Sequence, residues 1–140
     1  MTKKQINDGL IKTIQLYPTE FCVDIWICNN QKNLSNHFHN RYGASEEFYF
    51  EDTLPNQVAV INATDLSELK GETRIVMNVN SFDTSIIVHE LNHVFYHLCK
   101  ILHVELTFDN QEWHSYMLEY MFNNCKDDGT FKLYQNGVLR

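Results

Sequence analysis

Between Asp83 and His103, the apolar residues Ile86, Ile87, Leu91, Val94, Phe95, Leu98, Ile101 and Leu102 recur at intervals of three and four. That spacing lines side chains up along one side of an α-helix. A face this wide must be covered, so the rest of the chain has to fold against it. Asp83 stands where an N-cap belongs. At 140 residues, 44% of them hydrophobic, the chain has material for one core and no more, and residues 1–140 read as a single domain.

The covering layer is legible as short strands. In 19–29, Phe21, Val23, Ile25 and Ile27 alternate with Cys22, Asp24, Trp26 and Cys28, the period of a strand. Residues 57–62 and 74–79 read as two more, the first after a turn at Pro55. Residues 5–16 fit either a short helix or a first strand. A helix is predicted over 33–42, stopped by Gly43, with a short capped helix or turn over 64–71. A further helix follows Asp109, over 110–124, and a short strand is expected near 131–134. The expected architecture is α+β, a small mixed sheet packed against the long helix and the helix after it.

A net charge of -7 argues against phosphate backbones, which need clustered Lys and Arg; no nucleic-acid partner is expected. No apolar run has the length of a membrane span or of a signal peptide. The four cysteines, Cys22, Cys28, Cys99 and Cys125, lack the spacing of a zinc ribbon and read as free thiols. A soluble protein of a reducing cytoplasm is the expectation.

The chemistry sits on the long helix, in His89-Glu90-Leu91-Asn92-His93. Four residues advance a helix by about 6 Å and turn it by about 40°, so two histidines at i and i+4 can grip one ion. Glu90 lies beside that ion, placed to take a proton from bound water as general base. His97 continues the series but lies about 12 Å along the axis from His89, too far for one ion to reach both. His103 is farther still, and His37 and His39 lie about 200° apart on their own helix. Catalytic zinc usually takes three protein ligands, which leaves Asp109, Glu112 and His114 as candidates for the third.

This arrangement resembles the gluzincin branch of the zincin metallopeptidases, in which a second helix supplies a glutamate ligand. Residues 88–94 match the first element, and Asp109-Asn110-Gln111-Glu112-Trp113-His114-Ser115-Tyr116 opens the second. The layout is also similar to small phage-encoded metallopeptidase-like proteins. The resemblance spans residues 74–122 and implies a minimal zincin-like fold with Zn2+ held by His89, His93 and Glu112. Tyr116 stands where many gluzincins place an aspartate that buttresses the first histidine. Glu112 has a second reading, as the N3 acid of a capping box begun by Asp109. His114 reads as a reserve ligand or proton donor, and Tyr116 as an oxyanion donor or a core aromatic.

The activity expected is zinc-dependent peptide hydrolysis with Glu90 as general base, a peptide or protein being the substrate. The alternative is a structural or interaction protein, such as a phage particle component with assembly partners, that keeps the fold with a structural or vestigial zinc site. In either reading no membrane is involved, and host cytoplasm or virion is the expected location.

Overall fold

A computed structural model describes residues 10–27, 31–43, 56–80 and 83–126. The fold is α+β, with a mixed four-stranded sheet and three helices. Strand β1 (Leu10–Gln15) runs antiparallel to β2 (Cys22–Ile27), β2 parallel to β4 (Thr73–Val79), and β4 antiparallel to β3 (Gln57–Asn62), in the order β1-β2-β4-β3. Helix α1 (Gln31–Tyr42) follows β2, and α2 (Thr84–Leu102) follows β4. A 3-10 turn at Phe108–Asn110 leads into α3 (Gln111–Lys126). Cys28 and residues 131–134 lie outside the described residues.

The period-2 patterning divides the strands between two faces. Val23, Ile25, Ile75, Met77 and Val79 form one core with Ile87, Leu91, Val94, Phe95 and Leu98 of α2 and Met117 and Met121 of α3. Trp26, Val76, Ala59 and Ile61 form another with Leu34, Phe38 and Tyr42 of α1. Both faces of the sheet are therefore covered, one by α2 and α3 and the other by α1. Segment 10–15 was ambiguous in sequence because the register of β1 against β2 shifts between Leu10 and Lys12. Such a bulge breaks the alternation that marks a strand.

The covering of the α1 face has a polar consequence. Asp24, an apparent outward position of β2, is fully buried. It accepts hydrogen bonds from Thr13 Oγ1 (2.6 Å), Tyr42 OH (2.6 Å), Arg41 Nε (3.2 Å) and Arg74 Nη2 (2.6 Å). Trp26 Nε1 donates to Tyr42 OH at 3.1 Å. A buried carboxylate is tolerated when paired this fully. Its pKa lies below the usual 3.8: burial pushes it up, and the Arg74 hydrogen bond with the Arg41 and Arg74 charges pulls it down further.

Two helix ends depart from simple capping. Asp83 has extended backbone at the N-cap of α2 yet makes no side-chain cap bond, and His103 closes α2 in the left-handed region at φ 56°. Gly43 ends α1 as expected, at φ 72°, and a Cβ there would meet Thr64 Oγ1 at 2.2 Å. Glycine is required at that close approach. Residues 64–71 form turns, the Thr64 carbonyl accepting the amides of Ser67 and Gly71.

A candidate metal centre on helix α2

The apolar stripe of α2 faces the sheet and α3, which turns His89 and His93 outward. Both are exposed, their ring centroids are 4.9 Å apart, and the two Nε2 atoms are 3.3 Å apart. Two nitrogens each about 2.0–2.1 Å from a tetrahedral zinc lie about 3.3–3.4 Å apart. The pair therefore has the span of two corners of a zinc tetrahedron. Without metal, the same span is a ring-to-ring hydrogen bond when one nitrogen carries a proton.

Glu90 lies at the margin of the buried face, only 5% exposed, with Oε1 3.9 Å from His89 Nε2. None of the described residues donates a hydrogen bond to it. Burial lifts its pKa above 4.5 against the opposing pull of His93 and His89. A desolvated carboxylate beside two imidazoles has a raised proton affinity, the direction that favours a general base.

The second half of the expected site is arranged differently. His114 reaches α2, donating from Nε2 to Asn92 Oδ1 at 2.8 Å and stacking on Phe95 at 4.4 Å with ring planes 10° apart. Glu112, two residues earlier, lies about 200° round α3 from His114 and is exposed. Among the described residues, no three His, Cys, Asp or Glu side chains are gathered where they could hold an ion. His89, Glu90 and His93 are thus brought together, and Glu112 is not. The capping box is not formed either: the 3-10 turn intervenes, and it is Asn110 whose side chain bonds, to the Glu105 carbonyl at 2.6 Å.

Tyr116 is 54% exposed and lies parallel to Tyr120, with centroids 6.2 Å apart. With Glu119, Asn123 and Asn124 these tyrosines line a groove of about 200 Å³. Tyr96 escaped the sequence reading. It follows His89 by seven residues, so it projects within about 20° of the same direction, and it is 44% exposed. Its ring centroid lies 6.4 Å from that of Phe95 and 6.0 Å from that of His114. The heptad interval from His89 was the signal.

His97 is half-buried; burial, then the His93 and Lys100 charges, lower its pKa, with the Val58 backbone pulling the other way. His37 stacks on Trp26 at 5.6 Å, and His39 is exposed on α1. No family model, curated protein or solved structure matches this chain.

Proposed function

We propose that this chain is a zinc-dependent hydrolase of peptide bonds, with His89 and His93 as metal ligands and Glu90 as general base. The observation that carries the reading is the 3.3 Å span of the two Nε2 atoms beside a buried carboxylate whose Oε1 lies 3.9 Å from His89 Nε2. Zinc at that point would supply Lewis-acid polarisation of the scissile carbonyl and make water more acidic. Glu90 takes the proton from the attacking water and passes it to the leaving amine. Tyr96, on the histidine face, is the phenol best placed to donate to the developing oxyanion. Tyr116 faces the other groove.

β3 is an edge strand of the sheet, and α2 packs on it as well as on β4. An extended peptide added to that edge runs past the motif helix. Within the described residues no helix is long and apolar enough to cross a membrane. We place the activity in the cytoplasm, or in the host cytoplasm or virion if a phage encodes the chain.

Glu112 is proposed as third ligand by the resemblance alone; its position in α3 favours a site with two protein ligands. That same observation favours the second reading, an interaction protein with a structural or vestigial zinc. Zinc stoichiometry and cleavage of a mixed peptide library separate the two. Glu90→Gln should keep zinc and lose hydrolysis by about 10²-fold or more, and His93→Ala should lose both. Tyr96→Phe should lower kcat by about tenfold or more with zinc retained, while Tyr116→Phe and Glu112→Gln change little. Zinc-loaded protein that cuts no faster than Glu90→Gln overturns the hydrolase reading in favour of the second.

A further inference from the structure

Among the described residues, the motif turn of α2 leaves both candidate ligands exposed, and few contacts restrain that side of the helix. Asn92 is the exception. It lies between His89 and His93 in sequence, about 60° round the helix from the first and 100° from the second, at the border of the ligand face. Its Oδ1 accepts from His114 Nε2 at 2.8 Å. A carboxamide oxygen is an acceptor only, so this bond puts the His114 proton on Nε2. The imidazole is also clamped flat against Phe95, two residues past His93, and Trp113 beside it meets Phe95 edge-on at 4.9 Å. One of the two ring nitrogens of His114 is thus engaged with a side chain of the motif itself.

We infer that His114 is a positioning residue, acting through Asn92, that latches α3 to the ligand turn and holds His89 and His93 at their chelating span. It replaces the carboxylate buttress expected from the second helix, whose place Tyr116 occupies. The inference rests on the zinc reading of His89 and His93, and it assigns His114 neither metal contact nor proton transfer. Groups that orient metal ligands from behind commonly set affinity by about 10–100-fold.

The test joins two measurements on the whole chain. Nitrogen-15 spectra of zinc-free protein should show His114 protonated at Nε2. Competition with a chelating dye should show His114→Ala binding zinc about tenfold or more weakly than wild type. His114→Gln, whose carboxamide N–H can take the place of Nε2–H, should restore affinity to within about threefold. Thermal melts of the zinc-free variants check that each is folded. His114 protonated at Nδ1, His114→Ala binding zinc as tightly as wild type, or folded His114→Gln binding as weakly as His114→Ala would each overturn the inference. Wild type that takes up no zinc while His114 carries its proton on Nε2 would sink the zinc reading instead, leaving the latch a structural tie and overturning only its positioning role.

Discussion

Glu90 costs the folded protein stability that hydrolysis would put to use. Its folded pKa is raised, so its favourable contribution is complete below the unfolded pKa near 4.5 and is lost as pH rises through the folded value. At neutral pH the ionised, buried carboxylate is a liability in the zinc-free state. Glu90→Gln should therefore melt higher than wild type at pH 7 when zinc is stripped from both, with the gap closing toward pH 4. Equal melting temperatures at pH 7 would show that Glu90 is better solvated than its burial indicates. The motif itself was legible because i and i+4 spacing is a property of one helix. Asn92 and His114 were not legible as a pair, since their contact depends on how α3 lies against α2.

Among the elements, the strands were readable from their alternation, and β3 fell on 57–62 as expected. What alternation does not show is whether the second face meets water or another layer. Asp24 belongs to the alternate set of β2, and the expected architecture packed only the motif helix and the helix after it on the sheet, so the cover that α1 gives that set was not foreseen. The resulting knot of Asp24 with Arg41, Arg74, Tyr42 and Thr13 predicts acid sensitivity. A depressed folded pKa contributes stability that is complete above the unfolded value near 3.8 and is lost as pH falls through the folded value. Asp24→Ala leaves two arginines facing a buried gap and should cost about 3–5 kcal/mol at neutral pH. Denaturant titrations at pH 7 and pH 3 should show that cost shrinking in acid. A loss that is independent of pH would mean that the knot acts by shape alone.

For the whole molecule, both proposed histidine ligands lie on one helix, so a zinc ion held there would bridge no two elements through them. Zinc should still raise the melting temperature, because it binds the folded arrangement and not the unfolded chain. At a hundredfold excess over Kd the gain is about 2.7 kcal/mol. A chelator should return the protein to the melting temperature it had before zinc was added, and His93→Ala should not respond to zinc at all. A zinc response that survives in His93→Ala would place the ion elsewhere.

The sheet has one parallel seam, β2 against β4, flanked by two antiparallel pairs whose strands follow one another in the chain. Each pair is local in the chain, whereas the seam joins residues as far apart as Ile27 and Val79, fifty-two positions along the chain. Closing so long a loop spends entropy before any contact repays it. The parallel seam is therefore the pairing of the sheet expected to form last. Only four residues separate the end of β4 at Val79 from the start of the motif helix at Thr84, so the histidine pair is expected to take its place on the sheet only once that seam has closed.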